Sequence, residues 1–339
     1  MPGWLVYNEV MSELKVAQNR EEWDRFVDEA NGHALQTWGW GEVKAKHGWR
    51  AERIFVEQGG EVLGGAQILR RKLPLFGAML YVPRGPVVKD EKNREAVLAG
   101  LAEWAEKYRG QAVCLNVEPD WREMPKKSGK WRKSRNRILL AETTVVDLTR
   151  DAEKLLAEMP KKRRQDIKKY LKSGLKLEKV EKKADFLGAL EIYKEIGRRA
   201  KFNLHEDSYY VDIWQEMGAH QWLGVVKNEK KEVIAFQWAL LAGENGFALF
   251  AGVGEEGRRR RINAGVKWEC MGILREMGIK NYDFNGLLND GINEYKLAFG
   301  GEEVRLCGAW ELPLSSLYAV YSKILPAGKK ITQILEKVR

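Results

Sequence analysis

The sequence predicts a mixed α/β (α+β) protein made of two tandem copies of one unit, with mixed sheets flanked by helices. Its 339 residues exceed what one core usually holds and suit two domains of about 150. An order of hairpin, strand, helix and strand can be read twice along the chain, with different residues each time. A hydrophobic fraction of 44% with 13 tryptophans supplies apolar area for packed cores, so the 31% of charged residues reads as solvated surface and not as disorder.

In the first copy, RIFVEQ and EVLGGAQILRR flank Gly59 and Gly60, a hairpin signal, and LYVPRGPVV adds a strand that stops at Pro83. Between Glu95 and Arg109 the residues Val97, Leu98, Leu101, Trp104, Ala105 and Tyr108 recur at helical spacing, and Gly110 suits a left-handed cap. AVCLNV, residues 112–117, is the closing strand. In the second copy QWLGVVKNEKKEVIAFQWALLA forms a hairpin around residues 228–231, and GFALFAGV is the next strand. A helix over 262–277 places Ile262, Val266, Cys270, Ile273, Leu274 and Met277 on its buried face, and KNYDFNG closes the unit. LAETTVVDLTR starts this copy as a strand, which puts the boundary near 141–150, and a helix near 184–197 buries Phe186, Leu190, Tyr193 and Ile196. The tail SSLYAVYSKILPAGKKITQILEKVR reads as a basic amphipathic helix interrupted at Pro326, with packing as its first role and membrane-surface contact as its second.

Charge is concentrated. Residues 121–180 hold 19 Lys and Arg against 8 Asp and Glu, an excess of eleven in a chain of net charge +10, so the rest is close to neutral. Lys161, Lys162, Arg163, Arg164, Lys168 and Lys169 crowd one segment. Such a run is either a solvated helix face or a polyanion site for phosphates or anionic lipid headgroups. No apolar run approaches the ~20 residues of a membrane span, and the N-terminus lacks the pattern of a signal peptide, so a cytoplasmic location is expected. Cys114, Cys270 and Cys307 are too few and too scattered for a disulfide framework or a zinc site, and the four histidines show no metal spacing. Neither a metal nor a cofactor is expected, and no Walker-type loop suggests ATP use.

Five segments in one order, LQTWGWGEVKAKHGW, YVPRGP, MPKKRRQDIKKYLKSGL, RINAGVKWECMGILREMGIKNYDFNG and FGGE, resemble the Fem family (FemA, FemB, FemX) over nearly the whole chain. That resemblance implies two tandem GNAT-like acyltransferase domains, 1–145 and 146–312, followed by the helical tail 313–339. The length leaves no room for a long coiled-coil arm, so the compact FemX type is the nearer likeness. It further implies transfer of Gly, Ala or Ser from aminoacyl-tRNA, as co-substrate, to the stem peptide of a peptidoglycan precursor, UDP-linked or lipid-linked. The protein would then act as a monomer, with peripheral contact at the inner face of the cell membrane as a further expectation.

Carried over by position, Lys44 and Arg199 match the cations that hold the precursor's diphosphate, and a point charge with a planar fork suits that group. Tyr295 and Lys296 match the places beside the aminoacyl end and the developing oxyanion. Glu118 and Asp283 are the acidic candidates for a base, each with a structural role as its alternative, and for Asp283 that of a turn or cap residue comes first. Asn285 stands where the family shows a glycine, and Phe247 and Phe250 lack hydroxyls that a tyrosine-rich strand would offer the precursor. Two other function classes remain open. One is an acyl-CoA-dependent N-acyltransferase, although PRGPVVKDE and GVGEEGRRRRINAG lack the Arg/Gln-x-x-Gly-x-Gly/Ala pyrophosphate turn. The other is a noncatalytic RNA- or membrane-binding module.

Overall fold

The computed structural model describes residues 13–287 and 291–324. By internal contact the chain divides into two units: unit 1 comprises 1–32, 48–138 and 307–339, and unit 2 comprises 33–47 and 139–306. A cut near 145 is therefore replaced by an interlaced division. The segment 33–47 belongs to the second unit, and the residues from 307 onward belong to the first.

Unit 1 begins with β1 (Glu13–Val16) and α1 (Arg20–Glu29), whose first turn is capped by the Asn19 side chain accepting from the Glu22 N–H. After α2 (Trp38–Lys46), which lies in unit 2, follow β2 (Arg50–Gln58), β3 (Glu61–Leu73), β4 (Gly77–Pro83) and β5 (Val87–Val88). The β2–β3 turn places both Gly59 and Gly60 at positive φ, the condition of a two-residue hairpin. Next come α3 (Arg94–Ala105), β6 (Ala112–Glu118) and β7 (Arg132–Lys133). β4 and β6 pair in parallel from Ala78↔Ala112 to Pro83↔Glu118, with α3 as the connection that a parallel pair requires.

Unit 2 runs from β8 (Glu142–Asp147) through α4 (Ala152–Glu158), α5 (Lys161–Leu171), β9 (Leu177–Lys179), α6 (Lys183–Ala200) and α7 (Asp207–Glu216). The hairpin β10 (Gln221–Lys227) and β11 (Val233–Ala242) leads to β12 (Asn245–Val253). Then come α8 (Glu255–Arg260), α9 (Asn263–Glu276), β13 (Asn281–Asp283), α10 (Gly291–Leu297) and β14 (Glu302–Arg305). Its sheet has the order β14-β8-β13-β12-β11-β10-β9, with β12 and β13 parallel. The expected repeat is present: each unit has a hairpin, a strand, a helix and a strand parallel to the third.

The last strand, β15 (Trp310–Pro313), does not extend the second sheet as a 146–312 domain would have it. It inserts in the first, which runs β1-β2-β3-β4-β6-β15-β7 with β5 on β3. Residues 318–324 are helical and bury Tyr321 beside Leu69, Met79 and Tyr81. The remainder of the expected tail helix, with its break at Pro326, lies outside the described residues. Among the described residues the longest helix is α6 at 18 residues, and none is long and apolar enough to cross a membrane.

The helix stripe in unit 2 needs one correction. On α9 the buried positions are Ala264, Gly265, Val266, Lys267, Cys270, Met271 and Leu274, while Met277 is half exposed at 51%. Met277 falls in the helix's C-cap turn, where the backbone already leaves the core face, and a lysine takes a place inside it. α9 lies close on α5, because at Gly265 a Cβ would stand 2.1 Å from the Cβ of Tyr170.

Candidate functional site

The site grows from a mismatch in strand length in unit 2. β13 pairs with β12 only from Asn245↔Asn281 to Phe247↔Asp283, and then the chain turns away. Asn285 and Gly286 both take positive φ, and the Asp283 carboxylate accepts from the Asn285 N–H at 2.6 Å, closing an Asx turn. β12 runs on to Val253, still paired with β11 but through a bulge at Leu249. The edge that β13 leaves bare forms one wall of an open cavity of about 420 Å³. Its lining includes residues 248–253 of β12, Asn263 and Lys267 of α9, Phe284 and Asn285 after β13, Tyr295 and Lys296 of α10, and Arg199 of α6.

Asn285 accounts for the expected glycine departure. The position needs left-handed backbone, which asparagine tolerates better than other side chains, and here its amide donates to Ala248 O at 3.0 Å. The substitution thus ties the turn to the bulged stretch of β12. Lys296 donates from Nζ to Gly286 O, so the turn also fixes the cation. Tyr295 donates to Asn263 O at 3.3 Å, and its phenol is held above the ordinary range by burial.

A second, wider cleft of about 710 Å³ shares Arg199, Val253, Asn263 and Tyr295 with the cavity. Among the described residues Lys162, Arg163, Arg199, Arg258 and Arg261 line it against two carboxylates, Asp166 and Glu294. Arg163 stacks its guanidinium 4.2 Å over the Tyr295 ring and 4.9 Å over Phe299, while its Nε is buried with no hydrogen-bond partner. The six basic residues expected to act together therefore separate. Lys162 and Arg163 face the cleft, Arg164 donates to Ala157 O and Met159 O at the end of α4, and Lys161, Lys168 and Lys169 are exposed.

The remaining expected residues are distributed unevenly. Arg199, paired with Glu195 at 3.5 Å, sits where cavity and cleft join. Lys44, on α2 of the same unit, donates to Tyr209 Oη at 3.1 Å and lies over the rings of Trp40 and Tyr209. Asp283 is held by the Thr143 hydroxyl and the Asn285 N–H, and it is not among the lining residues. Glu118 belongs to unit 1, buried and accepting from Tyr81 Oη at 2.8 Å and from the Ile138 N–H. Phe247 lies tilted against the His33 ring with centroids 3.8 Å apart, and Phe250 joins Tyr193, Tyr210 and Trp238 while reaching the cavity wall.

Sequence reasoning missed Lys267, Arg258 and Arg261. Lys267 is 5% exposed, donates to Tyr282 Oη at 3.2 Å, and is pushed down to about 8 by burial, with the Lys296 charge adding to the effect. Its signal was available: a lysine at the 267 place of a 267, 270, 274 stripe. Among the described residues no cluster of His, Cys, Asp and Glu could hold a metal, and the three cysteines are buried and unpaired.

Comparisons with known proteins bear on the fold that carries this cavity. The FemAB family model matches residues 19–142, and an acetyltransferase (GNAT) domain model matches 161–297. The Lipid II:glycine glycyltransferase of Staphylococcus aureus is 30% identical over 241 residues, covering 65% of this chain and 56% of that protein. The chain thus spans little more than half the length of the curated relatives it matches. Among solved structures, FemX superposes with a TM-score of 0.81 at 21% identity, over 91% of this chain and 100% of that one. A tandem GNAT protein of clavulanic acid biosynthesis superposes at 0.52 and 14% identity, over 90% and 99%. At these identities the two structures speak to fold.

Proposed function

The chain belongs to the FemAB family, and from that premise we propose that it moves an aminoacyl group from aminoacyl-tRNA to an amine on the stem peptide of a peptidoglycan precursor, extending an interpeptide bridge. The observation that carries the reading is the adjacency of the two hollows in unit 2. The cavity holding Lys296 and Tyr295 shares Arg199, Val253, Asn263 and Tyr295 with a cleft lined by five cations.

An aminoacyl ester is already activated, so the protein must hold an amine near its carbonyl, stabilise the oxyanion and let the ribose oxygen depart. The Lys296 ammonium, anchored on Gly286 O, offers a fixed charge to that oxyanion. The cation-lined cleft suits the phosphates that precede the aminoacylated ribose, and clustered guanidinium groups gain affinity there by releasing counterions. Arg199 at the junction suits a phosphate shared by either substrate, including the precursor's diphosphate. The Staphylococcus relative is named for lipid II, which favours a lipid-linked acceptor and peripheral work at a membrane surface.

The acyl-CoA reading is weakened by α8. It opens with Glu255 and Glu256 in its first turn, at the helix start after β12 where a pyrophosphate would need backbone N–H groups and positive potential. Its six residues also make a weak dipole.

The decisive experiment incubates the protein with lipid-linked and nucleotide-linked precursor and with tRNAs carrying labelled Gly, Ala or Ser. Label should pass to the precursor from at least one tRNA. Absence of transfer from all three, together with tight acetyl-CoA binding by calorimetry, would overturn the reading in favour of the CoA alternative.

A further inference from the structure

We propose that Lys267, as an uncharged amine, is the group that takes the proton from the acceptor amine in the cavity it shares with Lys296. This inference rests on the aminoacyl-transfer reading and names a residue that the family likeness did not supply.

The lining of the cavity poses the problem. Among the described residues it offers three cationic side chains, Arg199, Lys267 and Lys296, and neither a carboxylate nor an imidazole. An acceptor amine arrives as an ammonium and must lose a proton before it can attack, so one lining group has to be able to stand uncharged. Arg199 cannot, because a guanidinium keeps its proton throughout the working range. Lys296 spends an N–H on Gly286 O and faces the position where negative charge develops. Lys267 differs from both: it is buried, and among the described residues no carboxylate pairs with it.

Its surroundings all bear on its charge. From β13 the Tyr282 hydroxyl meets Nζ at 3.2 Å, and the phenol is held well above its ordinary range, so it stays neutral. The rings of Tyr282 and Phe284 lie 5.4 and 5.5 Å from Nζ. From α10 the charge of Lys296 disfavours a second cation. On α9 itself the Cys270 thiol, raised to about 12, stays neutral at working pH. Glu269 turns elsewhere, accepting from Tyr170 Oη of α5 and from the Leu177 N–H of β9. The result is an amine lowered to about 8, close to the pH at which a general base is most effective.

The proton balance is simple. The acceptor ammonium gives one proton to Lys267 Nζ, and its freed lone pair forms the C–N bond to the ester carbonyl carbon. The tetrahedral oxyanion collapses, the bond from carbon to the ribose oxygen breaks, and the second proton of the attacking nitrogen goes to that oxygen. Lys267 then returns its proton to solvent, which accounts for the one proton released per turnover.

The test is the pH profile of kcat/KM for transfer, measured on the full chain with charged tRNA and precursor. Wild type should rise through an inflection near 8. Lys267→Met should lose about 100-fold or more at neutral pH and lose that inflection, while keeping its affinity for the charged tRNA. Lys267→Arg should be as poor as Lys267→Met, because it supplies the charge and not the base; rescue by arginine would overturn the proposal, as would a methionine variant within about three-fold of wild type. A titration of wild type labelled at lysine Cε stands apart from variants that fail to fold. A Lys267 signal titrating near 8 supports the proposal, and one near ~10.4 overturns it. If wild type transfers from no tRNA, the base role falls together with the transfer reading, and a titration near 8 would then show that the error lay in the reaction and not in the buried amine.

Discussion

The two units repeat one pattern, yet they finish it differently. In unit 1 the parallel pair ends together, with Pro83 opposite Glu118, and where β3 runs past β4 the short β5 pairs onto it at Gly64 and Gly65. In unit 2 β12 outruns β13 after Phe247, and among the described residues no strand covers the bare edge. The crossover helices follow suit. α3 buries Val97, Leu98, Gly100, Leu101, Trp104 and Ala105 without a charge, whereas α9 sinks Lys267 into the corresponding face. The strand ends also diverge: Glu118 is closed off by Tyr81 and Ile138, while the turn beyond Asp283 presents Asn285 to a cavity. One repeat closes its strand ends and the other leaves a cavity beside them.

That contrast can be broken or sharpened by substitution. The largest effect is expected at Lys296→Ala, which should lower kcat about 10²- to 10³-fold with tRNA affinity retained, the scale of losing one oxyanion donor; steady-state transfer kinetics and filter binding would read it. Lys267→Met should stabilise the fold at pH 7 by roughly 3 kcal/mol, because burial lowers the ammonium from 10.5 to about 8 and each tenfold in proton affinity is worth ~1.4 kcal/mol. The sign follows from the lowered value. Below about 8 both states hold the proton and the folded state bears the full burial cost; between about 8 and 10.5 the unfolded state binds more protons, so wild-type stability rises with pH and the variant's advantage shrinks. Urea melts at pH 7 and pH 10 would show the difference contracting, and a constant difference would argue against a charged-state cost.

Gly265→Ala should destabilise unit 2 by about 1–3 kcal/mol, since its new methyl meets the Tyr170 side chain, and a thermal melt would report it. Arg163→Ala should weaken tRNA binding about ten-fold at most and reduce the salt slope of log K by roughly 1, whereas Arg164→Ala, whose α5 side chain is spent on carbonyls at the end of α4, should leave the slope alone. The smallest effect belongs to unit 1: Glu118→Gln keeps an acceptor for Tyr81 and should hold kcat within about two-fold. A loss there on the scale of Lys296→Ala would break the comparison, because the completed repeat would then take part in the chemistry.

Local signals explain what could be read in advance. Gly59 and Gly60 mark a hairpin because two successive left-handed residues are needed there, and the apolar stripe of α3 is continuous, so both were legible. Tyr295 and Lys296 were legible only through likeness to a family, since an aromatic followed by a lysine carries no chemistry in its spacing. Lys267 was passed over because a lysine within a helix ordinarily points to water, a default that outweighed its place on the buried stripe of α9. Arg258 and Arg261 read as part of an arginine run until the turn after β12 brought them to the cleft. The fate of β15 was invisible for another reason: pairing Trp310 with Val117 spans most of the chain and leaves no local trace.

That pairing has a consequence for biosynthesis. β15 supplies the strand between β6 and β7, and α2, emitted early, belongs to the later unit. The first sheet therefore cannot close while the ribosome is still making the second unit, and β6 must wait with an unpaired edge until about residue 313 emerges. Such an edge invites strand addition from other chains. Splitting the gene at the apparent midpoint should yield two insoluble halves, and shielding by a chaperone during synthesis would matter most for the half that is made first.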